Sequence, residues 1–287
     1  VATDNFQDAA LVVLGHGTAL NDGSALPVMQ HAAELRRRGV FAEVHEAFWK
    51  QEPQIRTVLA EIQAARVFIV PLFVSEGYFA SEVIPRELGF DEPNSGARLQ
   101  KSEGRTLLYT PPVGTHSAMT GVILARARTV VAQFPFPRAP KPRETTLIIA
   151  GHGTERSAKS RESVLRQVEL IRAQNIFADV HAVFMDEEPR IGAAYELAAT
   201  KHLVVVPFFI SDGLHVVEDI PVLLGSPGRI VKERLAQGQP TWRNPTEQRG
   251  KRVWYSAAVG TESLVAEVIL ERVRESVAAD VSRRKPI

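Results

Sequence analysis

The chain has 287 residues, 45% of them apolar, with a formal net charge of +1 and no cysteine. That length and apolar content support one large or two ordinary domains. The near-neutral charge gives no electrostatic footprint for nucleic acid or an anionic membrane, and the missing thiols exclude disulfides, thiolate ligands, cysteine nucleophiles and cysteine-held clusters. The polar start "VATDNFQDAA" lacks an apolar signal core, and no apolar run approaches the roughly 18 residues of a membrane span. The expectation is a cytoplasmic protein, a monomer with no nucleic-acid or membrane partner.

In chain order, strands are predicted near 11–15, 43–49, 66–73 and 106–112, with helices between them. The segment "FPFPRAPKPRE" (134–144) follows as a proline-rich linker. Strands then recur at 147–151, 178–185, 202–209 and 252–258, with helices near 160–173, 189–200, 216–224 and 263–278. The second set repeats the first. "LVVLGHGT" (11–18) matches "LIIAGHGT" (147–154), "VFAEVHEAF" (40–48) matches "IFADVHAVF" (176–184), and "FVSEGYFASEVIP" (73–85) matches "FISDGLHVVEDIP" (209–221), all at one offset of 136 residues. From "LLYTPPVGTHS" (107–117) and "VWYSAAVGTES" (253–263) onward the offset is 146 residues, so the second copy carries ten extra residues between Gly225 and Val253.

The continuous Val-, Ile- and Phe-rich strands predict parallel sheets covered by helices on both faces. The expected architecture is α/β: two tandem four-stranded parallel units with flavodoxin-like layering, residues 1–133 and 145–287, joined by 134–144 and facing one another across a cleft. Ligands of such sheets bind beyond the carboxyl ends of the strands.

Candidate chemistry gathers at that edge in the second copy. His152 ends one strand, Asp186 and Glu187 follow the next, and His215 follows the third. Two imidazoles with a carboxylate make an N/N/O donor set suited to cobalt, iron or zinc. The first copy keeps His16 but has Phe79 for His215, and Lys50 and Gln51 for Asp186 and Glu187. Because the non-shared candidates are replaced together while glycines and strand cores persist, one live metal site is expected in the second copy and a degenerate one in the first.

Arg156, Lys159 and Arg161 follow "GHGT" only in the live copy. Cations at a helix start oppose its dipole, which makes sense if an anionic ligand lies there. His16, Phe79 and His116 are further candidates for substrate contact. His45 and His181 share one strand position and are assigned to the fold; His31 and His202 are assigned to the surface.

The "GHGT" strand end, the acid and proline after the second strand, and "VPFFISDGLHVVEDIP" together resemble the class II tetrapyrrole chelatases, specifically the CbiX-type sirohydrochlorin cobaltochelatases and ferrochelatases, over nearly the whole chain. The resemblance implies that His152 and His215 bind the metal and stand over the macrocycle, and that a nearby carboxylate assists. The segment before the proline is one residue shorter than the family pattern, so both Asp186 and Glu187 stay candidates.

The implied activity is ATP-independent insertion of a divalent metal, Co²⁺ favoured, into sirohydrochlorin, in cobalamin- or siroheme-type biosynthesis. The metal is substrate, and no cofactor is permanently bound. Alternatives are iron or nickel insertion, or a non-catalytic tetrapyrrole or metal carrier. A phosphohistidine hydrolase would want Arg before "HG", where Gly15 and Gly151 stand, and a flavin binder would want a Ser/Thr-rich phosphate loop.

Overall fold

The computed structural model describes residues 5–17, 22–90, 96–102, 104–154 and 158–283. In the first repeat, β1 (Phe6–Gly15), α1 (Leu26–Arg38), β2 (Phe41–Phe48), α2 (Ile55–Glu61) and β3 (Arg66–Pro71) lead to a π-helical turn at Phe79–Val83. Then come α3 (Ile84–Glu87), β4 (Arg98–Ser102), β5 (Arg105–Tyr109) and α4 (Met119–Gln133). The second repeat runs β6 (Thr145–Gly151), α5 (Ala158–Ala173), β7 (Asp179–Phe184), α6 (Ala194–Leu197) and β8 (His202–Pro207) to a π turn at His215–Asp219. It continues through α7 (Ile220–Leu223), α8 (Gly228–Ala236), β9 (Thr246–Gln248), β10 (Lys251–Tyr255) and α9 (Val265–Arg283). The ten inserted residues make room for α8, whose Lys232 lies 3.8 Å from Glu218 of the π turn.

Each repeat forms a five-stranded sheet, ordered β2-β1-β3-β5-β4 and β7-β6-β8-β10-β9. Four strands of each are parallel, as expected. The fifth, β4 or β9, is an antiparallel edge strand. "RLQKS" and "TEQ" have no apolar pattern because an edge strand packs little of its surface, so they escape a periodicity search. The central β1 and β6 show the opposite character: Ala9 to Gly15 and the whole of Thr145–Gly151 are buried.

The chain packs into two compact units, Val1–His116 with Ser263–Ile287, and Ser117–Glu262. These are not the sequence repeats of 1–133 and 145–287, because the terminal helices are exchanged. Helix α9 packs on α1 and β3, and α4 packs on α5, β8 and β10. Two equivalent arginines anchor the exchange. Within the first unit, Arg272 of α9 donates to Pro112 O at 2.9 Å and Thr115 Oγ1 at 2.6 Å. Within the second, Arg126 of α4 donates to Ala258 O at 3.0 Å and Thr261 Oγ1 at 2.6 Å. Burial lowers the Arg126 pKa, with Glu262 and Asp212 opposing that shift.

Two histidine assignments change. His31 is 3% exposed rather than at the surface, because it shares the α1 stripe with Val28, Ala32 and Leu35 at helical spacing. His202 is half-buried, its ring 5.9 Å from Trp254. His45 and His181 pair with Glu43 (3.0 Å) and Asp179 (2.8 Å) on their own strands, a shared role in both copies.

Candidate metal centre

In the second unit the strand order reverses between β6 and β8, the switch point at which open α/β sheets bind ligands. His152 leaves the end of β6 and His215 stands on the loop after β8. Their rings meet edge to face with centroids 5.0 Å apart, backed by Phe209 at 6.4 Å and 6.2 Å. Both imidazoles are open to solvent, with side chains 41% and 50% exposed.

Both rings are held by Nδ1. His152 Nδ1 lies 2.7 Å from Gly153 O and 3.3 Å from Asp186 Oδ2. His215 Nδ1 lies 2.7 Å from Asp219 Oδ2. A carbonyl or carboxylate oxygen can only accept, so each Nδ1 carries a proton, and in the neutral ring the lone pair is on Nε2. That tautomer leaves Nε2 as the nitrogen with which a neutral imidazole of this pair binds a divalent ion.

The scaffold fixes this pair. Gly153 has φ +68, and a Cβ there would meet Glu187 Oε1 at 2.6 Å. The tight turn of "GHG" thus needs glycine both for its left-handed backbone and for the carboxylate packed on it. Asp186 N donates to His152 O at 3.1 Å, which ties the β7 loop to the β6 loop. Buried Tyr255 donates its hydroxyl to Val216 O at 2.6 Å, pinning the residue next to His215; burial holds that phenol well above its ordinary pKa, so it stays a donor. Asp212 accepts from Ala258 N at 2.7 Å. Gly260 has no room for a side chain, since a Cβ would lie 2.1 Å from Ile210 O.

Among the described residues no group of three or more His, Asp or Glu is disposed to hold a metal. Asp186 Oδ2 lies 3.3 Å from His152 Nδ1 and so joins the pair on its Nδ1 side. Glu187 packs on Gly153, with Oε1 buried without a hydrogen-bond partner among the described residues and Oε2 3.5 Å from Arg161. Arg161 is itself engaged. It donates to Glu188 O at 2.5 Å and lies over the Phe184 ring at 5.0 Å, so it braces the β7 loop. Lys159 is exposed on α5. Arg156 lies outside the described residues.

Asp219, the partner of His215 Nδ1, is a candidate the sequence reading missed. Its signal was present: in the first copy Val83 stands at its position, lost together with His215. The π turn itself occurs in both copies and so belongs to the scaffold, not to the metal site.

The first unit keeps the geometry and changes the chemistry. His16 and Phe79 meet edge to face at 5.1 Å, nearly the spacing of the live pair, and His16 Nδ1 lies 2.9 Å from Gly17 O. Burial, with a smaller contribution from the Lys50 charge, lowers the His16 pKa. Phe79 is 37% exposed. His116 is not brought to this edge group. It is 8% exposed, its Nε2 3.1 Å from Glu275 of α9. The exchange of helices, invisible in a local pattern, is what buries it.

Residues 10–130 and 146–276 each match the CbiX family. The chain belongs to the CbiX family. A relative from Halobacterium salinarum, "Probable sirohydrochlorin cobaltochelatase", is 41% identical over 281 residues, spanning 94% of this chain and 92% of its own. Among solved structures, a multi-domain Deinococcus radiodurans protein, DR2241, described as similar to chelatases, is 29% identical with a TM-score of 0.76. The match covers 93% of this CbiX chain and 55% of that one, so the chain spans about half its length. SirB from Bacillus subtilis with Fe³⁺ shares the fold at 17% identity, with a TM-score of 0.68 over 96% of this chain and 97% of its own.

Proposed function

We propose that the chain inserts a divalent metal, Co²⁺ before Fe²⁺ or Ni²⁺, into sirohydrochlorin without ATP, in cobalamin- or siroheme-type biosynthesis, as a cytoplasmic monomer with no resident cofactor. The observation that carries this reading is the His152–His215 pair, its rings 5.0 Å apart and each held at Nδ1 by an acceptor oxygen. The 41% identity to a relative named for the cobalt reaction supports the choice of metal.

The chemistry follows from the donor set. Insertion exchanges one M²⁺ for the two protons of the macrocycle nitrogens. Neutral imidazoles hold the cation without cancelling its charge, and a site with few protein donors leaves coordination positions for the ring. Loss of two protons needs acceptors near the metal. Asp186, exposed beside His152, is placed to receive them in this reading, while Glu187 is packed against Gly153 and Arg161. Lys159 remains a cation for the macrocycle's carboxylates, whereas Arg161 serves the loop.

The test is a steady-state assay with metal-free sirohydrochlorin and Co²⁺, Fe²⁺ or Ni²⁺, followed by the change in the ring's absorbance. Multiple turnovers with Co²⁺ fastest are expected. Stoichiometric binding of metal or macrocycle without turnover would make the chain a carrier and overturn the enzyme reading.

A further inference from the structure

The two strand-end sites differ in sign as well as in ligands. Around His152 and His215 stand three carboxylates, Asp186, Glu187 and Asp219, with one guanidinium, Arg161, and with Lys159 exposed on the same helix. The positions in the first unit that match Asp186, Glu187, Asp219 and Arg161 hold Lys50, Gln51, Val83 and Ala25. There, three carboxylates against one cation become one cation and no carboxylate. The charges at these four positions have changed sign, while the backbone has been kept: Lys50 N still donates to His16 O at 2.9 Å, as Asp186 N does to His152 O at 3.1 Å.

The side chains give this polarity a place. Lys50 Nζ lies 5.0 Å from the centroid of the Phe79 ring, over the residue that replaces His215. Lys50 is exposed and makes no ion pair among the described residues. Phe79 presents part of its ring to solvent beside His16 and Tyr78, at centroid distances of 5.1 and 6.0 Å. An ammonium beside an open aromatic surface suits a ligand that joins a carboxylate to an apolar, flat body.

We infer that the strand-end site of the first unit is an anion site, in which Lys50 takes a carboxylate of an aromatic ligand and Phe79 packs on its body. A permanent cation stands there in place of an acquired one. The identity of the natural ligand as a polycarboxylate tetrapyrrole rests on the chelatase reading; the anion site itself does not.

The experiment uses the full chain in excess chelator, so that no metal contributes. Two porphyrins of opposite charge are titrated by fluorescence quenching: an octacarboxylate (uroporphyrin) and a tetracationic tetrakis(N-methylpyridyl)porphyrin. The wild type is expected to bind the anionic ring and not the cationic one. Lys50→Met should weaken the anionic ring about tenfold, the scale of one charge-assisted hydrogen bond, and should flatten the dependence of affinity on salt. Lys50→Glu should weaken it further, and Lys50→Arg should restore it. Co²⁺ binding by these variants should match the wild type. Equal affinity and equal salt dependence in Lys50→Met, or no binding of the anionic ring by the wild type, would overturn the anion site. Absence of metal insertion by a wild type whose ring binding depends on Lys50 would remove the chelatase reading and leave this one standing.

Discussion

His215 donates its Nδ1 proton to Asp219 Oδ2 at 2.7 Å, across a single π turn that the first repeat also forms but fills with Phe79 and Val83. The histidine and its orienting carboxylate stand together in one copy and are replaced together in the other. Asp219 fixes the tautomer and the rotation of the ring.

Asp219→Val should therefore lower Co²⁺ affinity by about 10–100-fold, the usual effect of removing such a partner. Asp219→Asn keeps an acceptor for the Nδ1 proton and should fall between Val and wild type. Competition titration against a chromophoric chelator measures both. Equal Co²⁺ affinity in the Val variant and the wild type would show that Asp219 does not orient the ligand.

His215→Phe installs the residue the scaffold already accepts at position 79. Because the site is exposed and the first unit holds Phe79 at nearly the same ring spacing, stability should change by no more than about 0.5 kcal/mol. Insertion should be lost. Thermal unfolding and the absorbance assay, run on one preparation, separate the two effects; retained turnover would remove His215 from the site.

The first unit should regain metal binding when its lost groups return. Lys50→Asp, Phe79→His and Val83→Asp together rebuild the counterparts of Asp186, His215 and Asp219 around His16. Equilibrium dialysis should find a second, weaker equivalent of Co²⁺ per chain in the triple variant. Phe79→His alone should give little, because the Lys50 ammonium, 5.0 Å from that ring, opposes a cation.

Stability should fall in mild acid. Burial lowers the pKa of both His16 and His116 below the ordinary 6.5, with the cations Lys50 and Arg272 adding to the shift. Both histidines thus prefer to stay neutral in the folded chain, and the unfolded chain takes up protons first as pH drops. Their contribution is fully present above pH 6.5 and is lost as pH falls through the lower folded values. Urea unfolding between pH 7.5 and 5 should show this slope, and the His16→Gln, His116→Gln double variant should show less of it. An unchanged slope in that variant would assign it to other groups.

The duplication, the parallel strand cores and the meeting of His152 with His215 at one sheet edge were all legible in the sequence. Each is a matter of residue type and short spacing: an apolar run long enough for a buried strand, a histidine beside glycines at its end, and a second copy against which a loss can be seen. What tertiary structure decided involves groups far apart in the chain or pairs whose meaning depends on a bond. The exchange of α4 and α9, held by Arg126 and Arg272, joins residues more than a hundred positions apart and leaves no local period. It buried His116, which otherwise looks like an edge residue. The polar edge strands β4 and β9 are specified by backbone pairing, not by an apolar face. Arg161 read as a free cation until the fold brought Glu187, Glu188 O and Phe184 around it. Asp219 read as one acid of "VVEDIP" until a hydrogen bond to His215 gave it a role. Sequence pattern reports which side chains must leave water, whereas the partners of the polar groups that remain are chosen by packing.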